Sequence, residues 1–99
     1  MVKLLSVTSS SKPDKKLDVK LETDSGREKT LHIGARGMDD FTKTKDPEQK
    51  ERYIARHQAR EDWRLSGILS SGFWSKHLLW GDTTSLKKNI QITKQKFNL

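Results

Sequence analysis

Leu17, Val19 and Leu21 alternate strictly with Asp18, Lys20 and Glu22. A period of two predicts a strand with one face buried. Before it, Val2, Leu4, Leu5 and Val7 alternate imperfectly, and Ser9 to Lys16 reads as a polar loop holding Pro13. After it, Asp24-Ser25-Gly26 signals a turn, and Thr30, His32 and Gly34 alternate with Leu31, Ile33 and Ala35. Three short strands with tight connections predict an antiparallel meander.

Gly34-Ala35-Arg36-Gly37 breaks the alternation, and the pattern turns helical. Asp46-Pro47 predicts an N-cap followed by proline in the first turn. Glu48 and Arg52 stand at i,i+4 in the favourable order, and this helix is expected to run to Arg60 or Trp63. Ser66-Gly67 and Ser70-Ser71-Gly72 are breaks. Ser71 is expected to cap a short helix ending at Trp80, closed by Gly81. Thr84 is expected to cap a last helix with Leu86, Ile90, Thr93 and Phe97 on one stripe and Lys87, Lys88, Lys94 and Lys96 on the others. The expected fold is α+β: a small antiparallel sheet of about three strands within residues 1–35. Three helices follow within residues 46–98, the middle one short and Trp-rich.

The length of 99 residues fits one domain spanning 1–99. Charged residues make up 33% and apolar ones 31%, so the core must be small. The absence of Cys excludes a disulfide framework, thiolate metal ligation and a thiol nucleophile. No apolar run approaches the roughly 18 residues of a membrane span. The opening Met-Val-Lys-Leu-Leu-Ser is too short and too soon interrupted for a signal peptide. The formal net charge is +7 and unevenly spread. Residues 1–33 carry seven basic and five acidic side chains, residues 34–66 eight and seven, and residues 67–99 five Lys against Asp82 alone. The expectation is a small basic domain with a polyanion or an acidic surface near it.

Gly72 to Gly81 is the most informative segment. Phe73 and Trp80 share one side of a helix, Trp74 and Leu78 lie about a third of a turn away, and Leu79 lies opposite. A helix apolar all round is buried on several sides. One reading is a central core helix. The other gives Phe73, Trp74 and Trp80 to a partner as aromatic anchors, with Lys87, Lys88 and Lys94 reaching adjacent acidic surfaces.

Arg52, Arg56, Arg60 and Arg64 repeat every four residues, the spacing of one helical stripe. Such a stripe can lie along phosphates. The competing expectation is an ion-pair network of Asp40, Arg56, His57 and Glu61, joined by Asp39 or Asp62, with Arg56 and His57 partly buried and paired. The Lys-rich last helix is open to the same two readings, phosphate contact or a solvated face.

Enzyme chemistry is poorly supported. His32, His57 and His77 are far apart, with no His-Glu-x-x-His pattern. Pro13-Asp14 before Asp18-Val19-Lys20 is a superficial match to a metal-dependent nuclease, but the acids are too close for two strand ends to meet at a metal. Gly34-x-x-Gly37 lacks the Gly-Lys-Ser/Thr of a phosphate loop, and no Gly-x-Ser-x-Gly elbow occurs. No catalytic residue, metal, cofactor or small-molecule substrate is expected.

A longer set of residues carries a resemblance. His32-Ile33-Gly34-Ala35-Arg36-Gly37, Asp40-Phe41-Thr42, Lys45-Asp46, Arg52-Tyr53, Arg56-His57, Glu61-x-Trp63 and Ser66-Gly67-Ile68 lead to Gly72-Phe73-Trp74-Ser75-Lys76 and Leu78-Leu79-Trp80. Together, over about residues 16–98, they resemble a family of small basic proteins encoded by large DNA viruses of algae and protists. The departures are His77, where that pattern has Trp, and Gly81-Asp82-Thr83, where it has a turn with Asn and Pro. The resemblance implies a viral origin and brings no catalytic residue. It leads to the expectation of a virion protein made in the infected cell: a minor capsid or cement component binding capsid proteins. The alternative is a virion-associated DNA-binding or packaging protein.

Overall fold

The strictly alternating segment forms β2 (Lys15–Glu22), the central strand of a three-stranded antiparallel sheet between β1 (Lys3–Ser9) and β3 (Glu28–Ala35). The computed structural model describes residues 1–99. Val19 pairs with Val7 on one side and Leu31 on the other, and Leu17 pairs with Ile33. Paired residues share a face, so one face is aliphatic; Val19, Leu21 and Ile33 are buried on it. On the opposite face Asp18 stands across from His32. Its carboxylate accepts from His32 Nδ1 (2.5 Å), Ser10 Oγ (2.6 Å) and both the amide and hydroxyl of Ser11. The Ser10 hydroxyl, then the Ser11 amide, hold this carboxyl well below the usual carboxylate range. The imperfect alternation of β1 has a structural cause. Its register slips between Leu4 and Ser6, leaving Leu5 unpaired and exposed in a bulge.

Four helices follow, not three. The additional one, α1 (Phe41–Thr44), has no apolar periodicity to announce it. It is fixed by Asp40, which accepts from the Thr42 and Lys43 amides. The other Asp40 oxygen takes Lys16 Nζ at 2.5 Å, tying the helical half to β2. α2 (Pro47–His57) starts under the predicted Asp46 cap. It stops at His57 rather than at Arg60 or Trp63. The Arg60 amide turns back to the His57 carbonyl, and Glu61 then reaches back to the His57 ring. Glu48 and Arg52 do not pair; Arg52 has no carboxylate partner.

A 3-10 turn at Leu65–Gly67 occupies the predicted break. α3 (Ser71–Trp74), capped by Ser70 instead of Ser71, runs into a π-helical turn over Ser75–Leu79. There the Trp80 amide donates to the Ser75 carbonyl at 3.1 Å. Wider turns redistribute side chains around the axis, and Phe73, Trp74, Leu78, Leu79 and Trp80 are all buried. They form one cluster with Val19, Leu21 and Ile33 of the sheet, Tyr53 of α2, and Ile68. Gly34 permits this closure. Its φ is +72°, a conformation that favours glycine, and a Cβ there would stand 2.7 Å from Leu79 Cδ1, so that side chain would have to shift.

α4 (Leu86–Lys96) is capped by Ser85, one residue after the predicted Thr84. Leu86, Ile90 and Phe97 are half-buried as a stripe, but the deepest positions of α4 are Asn89 and Thr93. Asn89 Nδ2 donates to the Leu78 and Thr83 carbonyls, both at 2.9 Å. Its Oδ1 accepts from the Thr83 amide (3.0 Å) and hydroxyl (2.8 Å). This one side chain therefore joins α4, the π turn and the loop between them. His77, also buried, lies between Phe73 (ring centroids 4.5 Å) and Phe97 (5.0 Å), and its Nε2–H donates to the Trp63 carbonyl at 2.9 Å. Burial pushes its pKa down, against the pull of that carbonyl.

Two outcomes are expected. Asn89→Ala strands the buried Leu78 carbonyl and the part-buried Thr83 carbonyl and should lower unfolding free energy in urea by about 3 kcal/mol; a loss under about 1 kcal/mol would contradict the role given to Asn89. For His77, the folded state favours the neutral ring, while the unfolded chain takes up a proton near the ordinary value of 6.5. Stability is thus intact above that value and is lost as pH falls below it. The melting temperature should drop from about pH 7 to about pH 5, and His77→Gln should remove part of that dependence. An identical profile for the variant would show that His77 does not carry it.

Candidate functional site

The end of β3, the turn at 37–40, α2 and α3 surround a cavity of about 630 Å³. Tyr53, Leu79 and Trp80 give it an apolar side. Tyr53 stacks with Trp80 (centroids 4.4 Å, planes 8° apart) and with His57 (4.2 Å). Burial holds the Tyr53 pKa above its ordinary value; the Glu61 carboxylate adds to this and Arg56 opposes it. The Tyr53 hydroxyl is therefore a donor at neutral pH.

The acids lining the cavity are already engaged. Asp40 caps α1 and holds Lys16. Glu61 accepts from His57 Nδ1 on one oxygen and from Trp63 Nε1 on the other, both at 2.9 Å. Asp39, at the rim, pairs with Lys43 at 3.8 Å. The expected network of Asp40, Arg56, His57 and Glu61 therefore divides into two pairs, Lys16–Asp40 and His57–Glu61. Arg56 belongs to neither and is exposed rather than partly buried. The reason is local: capping α1 turns Asp40 towards β2, where Lys16 is the cation within reach.

The arginine stripe is shorter than its spacing suggests. Arg52 and Arg56 lie one turn apart on α2 and both line the cavity. Arg60 lies in the turn after α2, and Arg64 is extended backbone paired with Asp62 at 3.1 Å. Lys15 and Lys16, at the start of β2, join Arg52 and Arg56 at the cavity. Sequence spacing could not show this, since only the fold brings residues 15 and 52 together; the one local signal is the Lys15-Lys16 pair itself.

A second basic region is α4. Lys87, Lys88 and Lys94 are exposed, Lys96 likewise, and the helix contains no acid. Lys88, Gln91, Ile92, Lys94 and Gln95 line a shallow groove. Lys87 and Lys88 occupy the first turn, where the helix dipole disfavours positive charge.

The proposed aromatic anchors are elsewhere. Phe73 and Trp74 are 0% exposed and Trp80 is 7% exposed. Trp74 Nε1–H donates to the Ile68 carbonyl at 2.7 Å inside the domain. These rings face the protein's own core, which corrects their assignment as partner anchors. The three histidines serve three separate contacts, with Asp18, Glu61 and the Trp63 carbonyl. Asp18 is engaged by loop donors and His32, and Asp14 is exposed in the loop. No group of three or more His, Asp or Glu side chains is placed to hold a metal ion, and no helix is long and apolar enough to cross a membrane.

No curated protein and no solved structure gives a significant match to this chain. One family model does match, over residues 5–57, just over half of the chain. The matched stretch holds β2, β3, most of β1, α1 and α2, and with them Lys15, Lys16, Asp40, Arg52 and Arg56; it ends before Glu61, the Trp-rich segment and α4. The chain belongs to the family of unknown function DUF5754.

Proposed function

We propose that the protein is non-enzymatic and binds nucleic acid through its phosphates, as a virion-associated DNA-binding or packaging protein. One observation carries the reading: most of its positive charge is unpaired. Of the 20 Lys and Arg side chains, only Lys16, Lys20, Lys43 and Arg64 reach a carboxylate. Lys87, Lys88 and Lys94 project from a helix without acids. Lys76 is half-buried over the Trp63 ring, and its pKa is lowered first by burial and then by the charge of Lys50. Unpaired surface cations attract polyanions by releasing their counterions. The viral resemblance supports a role at a packaged genome. The minor capsid or cement reading loses its apolar anchors to the core and keeps only the lysines, facing an acidic protein neighbour.

The test is fluorescence anisotropy with a labelled duplex of random sequence, titrated with salt. The wild type should bind with an affinity that falls steeply as salt rises. Changing Lys87, Lys88 and Lys94 to Gln should flatten the log–log slope by about 1 for each phosphate that a lysine no longer neutralises. No binding beyond weak low-salt attraction, or an unchanged slope in the variant, would sink this reading and turn attention to acidic capsid proteins.

A further inference from the structure

We propose that the cavity beside α2 is a binding site for a phosphomonoester carried on a small organic body of about nucleotide size. The site does not depend on α4 touching nucleic acid. A volume of about 630 Å³ lies within the range of small-molecule sites. What distinguishes the cavity is its unused donors. Lys15, Arg52 and Arg56 line it, and none has a carboxylate partner. Two guanidiniums one helical turn apart disfavour each other, and neither forms an ion pair within the chain. The acids at the cavity have other partners: Asp40 is bridged to Lys16, Asp39 to Lys43 at 3.8 Å, and Glu61 is hydrogen-bonded to His57 and Trp63, so none forms an ion pair with Arg52 or Arg56.

Neutral donors belong to the same lining. Tyr53, Ser71 and Ser75 are among the lining residues, and their hydroxyls have no hydrogen-bond partner within the chain. Three cations and three hydroxyls suit a dianion with three terminal oxygens. Each arginine can present a two-pronged fork to such a group. A single carboxylate would satisfy only part of this set, and a phosphodiester in a continuous backbone has one fewer charge and no free end to enter a recess. The edges of Tyr53, Leu79 and Trp80 offer apolar surface for the remainder of the ligand. The walls are preorganised: Lys15 begins a paired strand, and the Lys16–Asp40 bridge ties that strand to the segment leading into α2.

Adenosine monophosphate and adenosine are the probes, titrated into the full chain by calorimetry. Adenosine monophosphate should bind and adenosine should not. The double variant Arg52→Gln/Arg56→Gln should weaken binding about tenfold or more with an unchanged melting temperature, since both side chains are exposed. The Lys87→Gln/Lys88→Gln/Lys94→Gln variant should bind adenosine monophosphate like the wild type, which separates this site from the nucleic-acid surface of α4. In the wild-type protein the amide resonances of Gly37, Ser71 and Gly72 should shift on titration. A 5′-phosphorylated single strand that displaces adenosine monophosphate from the α4 variant, when its 5′-hydroxyl counterpart does not, identifies a strand end as the source. Failure of both strands to compete identifies the free mononucleotide. Equal affinity for adenosine, no binding at all, or binding abolished with the lysines and kept without the arginines would overturn the proposal.

Discussion

One segment of the chain supplies half of the core. Five of the ten buried hydrophobic residues, Phe73, Trp74, Leu78, Leu79 and Trp80, lie within eight consecutive positions. A regular α-helix would point some of them away from the sheet, since successive residues are spaced about 100° around the axis. The π turn at Ser75–Leu79 changes that spacing, and the sheet, Tyr53 and the stripe of α4 wrap what remains. The other special features follow from this burial. Gly34 lets Leu79 approach β3, and Asn89 supplies a donor for the Leu78 carbonyl at the end of the turn. Trp74 carries its own N–H to the Ile68 carbonyl. An aromatic-rich segment in a chain only 31% apolar is kept inside with its polar atoms paired: Asn89 meets the Leu78 carbonyl, and backbone carbonyls meet the Trp74 and His77 ring donors.

The same economy of polar groups shapes the surface. The buried polar residues, Asp40, His77, Asn89 and Thr93, all have hydrogen-bond partners, and no buried side-chain nitrogen or oxygen is left without one. Several acids are employed as structural acceptors: Asp18 for the first loop, Asp40 and Asp46 for helix caps, Glu61 for His57 and Trp63, and Asp62 for Arg64 and Ser66. Acids held this way accept from amides, hydroxyls and rings more often than from Lys or Arg. The cations they would otherwise pair with remain free. The net charge of +7 is thus joined by a shortage of ion pairs, and most Lys and Arg side chains have no carboxylate partner.

How much of this was legible in the sequence depends on range. The strands were legible because their signal is local: Leu17, Val19 and Leu21 need only their neighbours to declare a half-buried face. Asp46-Pro47 was legible for the same reason. Leu5 was ambiguous because a bulge breaks the period that made the other strands readable. α1 was missed because four residues cannot show helical periodicity and its cause is a cap, Asp40. Arg60 and Arg64 looked like a continuation of Arg52 and Arg56 because spacing does not report where a helix ends. Both readings of Phe73, Trp74 and Trp80 began from the same all-round apolarity, and only the packing decides between them. Asn89 carried no signal at all: among Lys, Asn and Gln on α4 it looks like surface, yet it is 1% exposed.

The two basic regions differ in ways that bear on what each would hold. On α4 the cations are lysines on flexible stems over a shallow groove. Compact ammonium charges of that kind follow a chain of phosphates without demanding a fixed geometry. Beside α2 two arginines stand with Lys15 and Lys16 at a recess whose walls are a paired strand and a capped helix. A guanidinium fork on a rigid element selects orientation as well as charge. The first arrangement favours avidity over a long polyanion, the second a single well-placed group. Because their cations come from different elements, α4 in one case and β2 with α2 in the other, loss of charge in one region should leave the geometry of the other intact. The domain thus carries two separable positive surfaces on a scaffold in which Asp18, Asp40, Asp46, Glu61 and Asp62 serve as structural acceptors.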